Sequence, residues 1–286
     1  MKNKNIGLMT VHLAVLLFGL SGLFGKLITL PAIIITLGRV FFSSLFLLCL
    51  LKVRKVSLKP QSRLDAVVLA SAGAVLALHW WSFLASIQVS TVATATISFS
   101  TFPLFVTLLS PFFSKEKILS KDIVSACLMM AGVFIMIESW DFGESGTLGV
   151  FLGLLSAVTY ALLSLINRNF SQKYPSAFIS FFEQGFACLF LLPSLFIVRP
   201  TFDFKNIMLL FVLGVVFTGI SHTLFISGLK SVKPQTAGII SGLETIYSIV
   251  FAFLLFREIP SAREVMGGAV ILGVVFYTTL RAKNKK

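Results

Sequence analysis

The chain has 286 residues, 57% of them apolar and only 12% charged, with 24 Lys and Arg against 11 Asp and Glu for a net charge of +13. Soluble domains carry about a quarter charged residues, so this composition, with a mean hydropathy of +0.96, excludes a water-soluble globular protein. The basic residues lie in short gaps between apolar blocks and form no continuous stripe, which argues against nucleic acid as a partner and for a topology signal.

Apolar spans run over residues 8–28, 31–51, 65–87, 90–113, 122–138, 146–168, 176–197, 206–229, 235–256 and 262–282. Each is close to the roughly 20 residues that a helix needs to cross about 30 Å of hydrocarbon. The expected fold class is therefore an all-α integral membrane protein of ten transmembrane helices. Lys2 and Lys4 ahead of span 1, with Ser21-Gly22 at its end, resemble a leader peptide. The segment has a second copy inside the chain, where no leader is removed, so it is read as a retained helix.

Span 2 carries Arg39, span 7 Glu183 and span 9 Glu244. A charge at mid-membrane costs about 2.5–3.5 kcal/mol on insertion scales, so these three are expected to face the protein interior or water. Counted along their helices, Arg39 and Glu183 differ in height by only about 7 Å. Three roles stay open for them: a structural pair, substrate contact, or gating. In the second, Arg39 holds a substrate carboxylate while Glu183 or Glu244 holds an amine or a coupled proton. Span 3 contains His79, Trp80 and Trp81, and span 8 contains His222, which aligns with Trp80. These rings either line a cavity for a cationic or aromatic group or belong to an interfacial belt. Tyr160, Asn167 and Tyr247 are further candidates for polar lining. Pro103 removes a hydrogen bond within span 4 and is expected to act as a hinge. Spans 4 and 9 are rich in small residues that allow close helix approach. Gly267, Gly268 and Gly273 of span 10 are read as packing residues, with a homodimer contact as the other use.

With the amino terminus cytoplasmic, alternation across ten spans places 18 of the 24 basic residues inside, five outside and Arg39 within a span. The positive-inside rule then sets both termini in the cytoplasm. An internal repeat at an offset of about 142 residues matches Thr94-Ala95-x-Ile97 with Thr236-Ala237-x-Ile239, Lys115-Glu116 with Arg257-Glu258, and Lys26 with Arg168. Two halves, residues 1–140 and 141–286, each hold five spans. Because five is odd, they insert upside down relative to each other, as two inverted five-helix repeats. Cys49, Cys127 and Cys188 lie in apolar blocks without metal-ligand spacing and are read as packing residues. No nucleotide-binding loop, GxSxG or HExxH occurs, so no catalytic residue, metal or cofactor is expected.

Ten spans in two halves, Arg39, Phe102-Pro103, Glu244 and the Lys-Glu and Arg-Glu pairs closing spans 4 and 9 together resemble the drug/metabolite transporter superfamily, EamA type. The resemblance covers the whole chain. It implies a central cavity lined by spans 1–4 and 6–9, with spans 5 and 10 peripheral. Where many relatives have Pro after the span 9 Glu, this chain has Thr245. The expectation is a secondary carrier in the bacterial inner (plasma) membrane that exports or exchanges a small zwitterionic, amino-acid-like solute, with the lipid bilayer as its surroundings. The alternatives are a carrier of lipophilic cations or drugs, and a membrane scaffold or sensor that transports nothing.

Overall fold

The computed structural model describes residues 2–113, 120–137 and 145–283. The Lys115-Glu116 pair expected to close span 4 lies outside them. The described elements are all helical: α1 (Lys2–Ser21), α2 (Phe24–Leu27), α3 (Ala32–Val53), α4 (Arg63–Val89), α5 (Val92–Phe99), α6 (Phe102–Phe113), α7 (Ser120–Met136), α8 (Ser145–Phe170), α9 (Ser176–Leu191), α10 (Ser194–Val198), α11 (Phe204–Gly214), a π-helical turn (Val215–Ile220), α12 (Ser221–Leu229), α13 (Pro234–Phe256) and α14 (Ala262–Lys283).

Seven helical stretches among the described residues are long and apolar enough to cross a membrane: Asn5–Leu27, Ala32–Val53, Arg63–Val89, Val92–Phe113, Ser145–Phe170, Ser176–Val198 and Phe204–Leu229. The apolar runs Ile123–Met136 and Ile240–Phe256 are shorter. The distribution of polarity is that of a bundle in lipid. Large apolar side chains such as Phe41, Leu45, Phe112, Phe196, Ile197 and Leu254 lie on the outside, while Arg39, Glu183, Gln184, His222 and Glu244 are buried. Cys49 and Cys127 also lie on the outer surface, so the packing role expected of them does not hold; a cysteine in an apolar block suits lipid as well as a core.

Local sequence explains the helix ends. Pro31 and Pro175 are extended residues that start α3 and α9, where a missing N–H costs nothing. Ser62, Thr91 and Asp203 cap α4, α5 and α11 by accepting the amide protons of Asp65, Thr94 and Asn206. The stretch 92–113 breaks at Ser100-Thr101: Ser100 N reaches back to Thr96 and Ile97, Thr101 N to Ser98, and Pro103 has no N–H to offer the carbonyl of Phe99.

Packing contacts recur at the offset of the sequence repeat. α1 packs on α12 and α13, and α8 packs on α4 and α5. Lys26 Nζ donates to the carbonyl of Ser90 at 3.3 Å, and Arg168 Nη1 donates to that of Val232 at 3.5 Å and to that of Leu229. Gly7 abuts Ser231, and Gly149 abuts Ser90. Glycines also let backbones meet at the centre: a Cβ on Gly73 of α4 would lie 2.5 Å from Phe186 Cβ and 2.8 Å from the carbonyl oxygen of Glu183, both on α9.

That last contact is testable. Gly73→Ala forces α4 and α9 apart and is expected to lower stability by about 1–3 kcal/mol. Gly185→Ala, at a position with nothing within 4 Å, should leave it unchanged or slightly raised. Thermal unfolding of the detergent-solubilised protein reads both, and a Gly73→Ala variant that melts with the parent would contradict the close approach.

Candidate functional site

A cavity of about 20 Å³, room for about one water, lies at the centre of the bundle between Phe18 and Ser21 of α1, Arg39 of α3, His79, Trp80 and Phe83 of α4, Phe99 of α5, Tyr160 of α8 and Glu244 of α13. The two charged residues come from α3 and α13, far apart in the chain. Arg39 is 1% exposed and Glu244 5%. Among the described residues they form no ion pair within 4.0 Å with each other or with any third group.

Arg39 is held from two sides. Its guanidinium carbon stands 4.1 Å above the Trp80 ring, a cation on the electron-rich face. Its Nε donates to Thr218 Oγ1 at 3.0 Å, and the two terminal nitrogens make no hydrogen bond to the described residues. Thr218 sits in the π-helical turn, where its hydroxyl donates to the carbonyl of Leu213, five residues back, at 2.8 Å. Such single-turn widenings concentrate at functional sites because they re-aim a side chain. Glycines pin this turn to α3: a Cβ at Gly214 would meet the carbonyl of Arg39 at 2.9 Å, and one at Gly219 would meet Ser43 Oγ at 2.8 Å.

On the other side of the cavity, His79 Nδ1 is within 2.8 Å of Ser156 Oγ and 3.0 Å of the carbonyl of Ser156. Its ring stacks on Tyr160 at 4.6 Å between centroids. Phe99 lies 5.5 Å from both His79 and Tyr160, and Phe83 5.5 Å from Phe99. Aromatic faces and edges thus surround the space that Arg39 and Glu244 enter. Glu244 is carried by a helix fixed to its neighbours on either side of it. Thr245 Oγ1 donates to the carbonyl of Thr96 at 3.0 Å and lies 2.5 Å from Ser100 Oγ, and Ser248 Oγ donates to the carbonyl of Gly19 at 2.9 Å.

Of the residues singled out from sequence, the structure brings Arg39, His79, Trp80, Tyr160 and Glu244 to this cavity. Glu183 and His222 lie behind Trp80 and bind each other, Oε2 to Nε2 at 2.9 Å, so Glu183 is not the partner of Arg39. Trp81 packs instead against the cluster of Phe24, Ile28, Leu30 and Leu210, because at about 100° per residue it points roughly 200° away from His79, off the arc of α4 that His79 and Trp80 turn to the cavity. Tyr247 packs against Gly19 in the core and is not among the lining residues. Sequence reading missed Thr218, Ser156, Phe18, Ser21, Phe83 and Phe99. Nothing distinguishes these phenylalanines among the 30 in the chain.

Polar contacts join elements at both ends of the bundle. At one end Lys26 Nζ pairs with Glu258 Oε2 at 3.1 Å, Glu258 Oε1 accepts the amide of Val92 at 2.5 Å, and Glu264 accepts the hydroxyls of Thr91 and Thr94 at 2.5 Å each. At the other, Asp65 accepts from Lys173 Nζ at 2.5 Å and from the Tyr174 hydroxyl, whose oxygen takes the amide of Gln61 at 2.7 Å. The Asp65 carboxylate raises the Lys173 ammonium and the Tyr174 phenol above their ordinary values, with burial the larger cause for Tyr174.

The model of the EamA-like transporter family matches residues 5–138 and 147–280. Among curated proteins, the chain is 22% identical over 289 residues to the transporter YxxF of Bacillus subtilis, covering 99% of this chain and 93% of that protein. It is 27% identical over 194 residues to a transporter of Archaeoglobus fulgidus, 68% of this chain and 69% of that one. It is 24% identical over 253 residues to a protein of Rickettsia bellii named S-adenosylmethionine uptake transporter, 87% and 84% of the two chains. A solved crystal structure shares the fold with a TM-score of 0.71 at 18% identity, covering 100% of this chain and 99% of that one. With a buried charged cavity inside an apolar helical bundle, and a family match over nearly all of its length, this chain belongs to the EamA-like transporter family of the drug/metabolite transporter superfamily.

Proposed function

We propose that the protein is a secondary carrier which moves a small zwitterionic, amino-acid-like solute across the plasma (inner) membrane by alternating access to the central cavity. The observation that carries this reading is the pair of opposite charges facing one cavity without touching. A guanidinium with two free terminal nitrogens suits a carboxylate, and the Glu244 carboxylate suits an ammonium. A zwitterion between them neutralises both, which makes binding favourable and the moving complex nearly uncharged. At about 20 Å³ the cavity is narrower than any such solute. The bound form is therefore wider, and the break between α5 and α6 at Pro103 is where we place the hinge.

In this reading the chain crosses the membrane ten times as two inverted five-helix units, residues 1–140 and 141–286. Support comes from the repeat-related contacts of Lys26 with Ser90 and Arg168 with Val232, which lie at opposite ends of the bundle under the charge-derived topology. It also comes from the 18-to-5 split of basic residues, which sets both termini inside. A reversible carrier runs in the direction that the gradients set.

A second reading, a carrier of lipophilic cations, is favoured by Phe18, Trp80, Phe83, Phe99 and Tyr160 around Glu244. The relatives named for S-adenosylmethionine are compatible with both, since that molecule carries an amino acid and a sulfonium cation. A scaffold or sensor that transports nothing leaves the unpaired charges without a use.

A thermal-shift panel of amino acids, S-adenosylmethionine and quaternary amines on purified protein separates the readings, because a ligand that binds only the folded state at 100 times its Kd stabilises by about 2.7 kcal/mol. Zwitterions are expected to raise the melting temperature. Arg39→Gln and Glu244→Gln should each weaken binding by about 2–5 kcal/mol, thirtyfold or more. A panel in which quaternary amines alone shift the protein selects the cation reading, and one in which nothing shifts it removes the carrier assignment. Independently, single cysteines placed before residue 5 and after residue 283 in a background lacking Cys49, Cys127 and Cys188 should both be labelled only from the cytoplasmic side. Labelling on opposite faces contradicts an even number of spans.

A further inference from the structure

The charged residues that the cavity does not use lie directly behind it. Glu183 on α9 is 0% exposed, His222 on α12 1% and Asn167 on α8 2%. Glu183 Oε2 contacts His222 Nε2 at 2.9 Å and accepts Asn167 Nδ2 at 3.5 Å. The remaining polar atom of each member, Glu183 Oε1, His222 Nδ1 and Asn167 Oδ1, is buried without a hydrogen-bond partner. Most buried polar groups find a partner, and these three unpartnered atoms fall on one connected set of side chains. Three open valences on one imidazole–carboxylate cluster, inside an apolar bundle, mark a place where something small and polar comes and goes. The cluster is separate from the central cavity, whose lining includes neither Glu183, His222 nor Asn167.

We propose that Glu183 and His222, oriented by Asn167, form a proton-binding site distinct from the solute cavity, and that the proton held there is the ion to which transport is coupled; the second clause rests on the carrier reading above. The step is one proton taken up from water on one side of the membrane onto the Glu183–His222 pair, and the same proton returned to water on the other. With one proton between them the pair is neutral, and without it the pair carries one negative charge. No other bond forms or breaks. Among the described residues, the ionisable groups on the cavity side of this pair are Arg39 on α3, His79 on α4, Tyr160 on α8 and, across the cavity, Glu244 on α13.

Two physical links tie this site to the cavity. Trp80 stands between them, edge-on to the His222 ring at 5.5 Å and with its face under the Arg39 guanidinium at 4.1 Å. A change of one charge at the pair therefore acts on Arg39 across a single ring in a medium of low dielectric. The second link is the chain itself: Thr218, which accepts from Arg39, and His222, which binds Glu183, are four residues apart across the end of the π-helical turn. Movement of one carries the other.

The test needs no solute. Infrared difference spectra of the full-length protein in liposomes, recorded across pH steps, show the carbonyl stretch of each carboxyl that gains a proton. One pH-dependent band is expected to vanish in Glu183→Gln and to persist in Glu244→Gln. His222→Gln should move its midpoint by about one pH unit or more, a tenfold change in proton affinity. Replacing sodium by choline should leave the band unmoved. If Glu183→Gln does not fold, Glu183→Asp, which keeps the carboxyl, should shift the band without abolishing it. If Glu183→Gln removes no pH-dependent band, or if the band it removes ignores His222→Gln or follows sodium, the proposal is overturned. Because the titration contains no metabolite, it stands or falls separately from the thermal-shift panel: a panel without hits removes the carrier reading, whereas a flat titration removes only the proton site.

Discussion

A guanidinium inside an apolar bundle must find stabilisation from within the protein, because lipid supplies none. Arg39 finds it in an unusual combination: one neutral hydrogen bond to Thr218, the face of Trp80 and the field of an acid it does not touch. Each is weaker than a contact ion pair. Together they hold the side chain in place while leaving its two terminal nitrogens available. A direct Arg–Glu bridge would have satisfied the same charge more fully and left nothing for a solute. The arrangement around Arg39 thus decides what the rest of the bundle has to do, which is to hold α3, α4, α12 and α13 so that this partial satisfaction persists.

The scaffold and the site obey different symmetries. Contacts that hold the bundle recur at the repeat offset, as with Lys26 on Ser90 and Arg168 on Val232, or Gly7 on Ser231 and Gly149 on Ser90. The chemistry does not recur. The position matching Glu244 is Phe102, Trp80 aligns with His222, and Arg39 aligns with Glu183 only after the offset has drifted to 144, a drift shared by the helix-starting Pro31 and Pro175. Close helix packing needs small residues at matching heights and tolerates a shift of a residue or two, so it keeps the repeat. A solute with unlike ends needs unlike partners, so the cavity loses it.

This division also explains what was legible in the sequence. Lipid demands an apolar run of fixed length, so the helical spans are visible as blocks, and a charge within a block is visible because it is costly; Arg39, Glu183 and Glu244 were found for that reason. The direction in which a helical residue points is not written in its neighbours. Trp80 and Trp81 look equivalent in sequence, yet one supports Arg39 and the other packs among Phe24 and Leu210. Similar depth for Arg39 and Glu183 suggested a pair, but depth is one coordinate of three, and it is His222 that reaches Glu183. The π-helical turn left no trace at all, since Val215–Ile220 reads as ordinary helix.

That turn is where the separate parts meet. Gly214, Thr218 and His222 follow one another at four-residue intervals. Gly214 lets the backbone approach the Arg39 carbonyl, Thr218 takes the Arg39 Nε, and His222 takes Glu183. A widened turn has one more residue than a regular one, so its relaxation to an α-turn would rotate everything beyond it by about 100° relative to what precedes it. Thr218 and His222 could not then both keep their partners. The contacts to Arg39 and Glu183 therefore hold the turn in its widened form, and the turn holds those contacts in register. Loosening either end frees the other, and a structure with that property can pass a local change at one buried charge to a second one without any rigid element moving far.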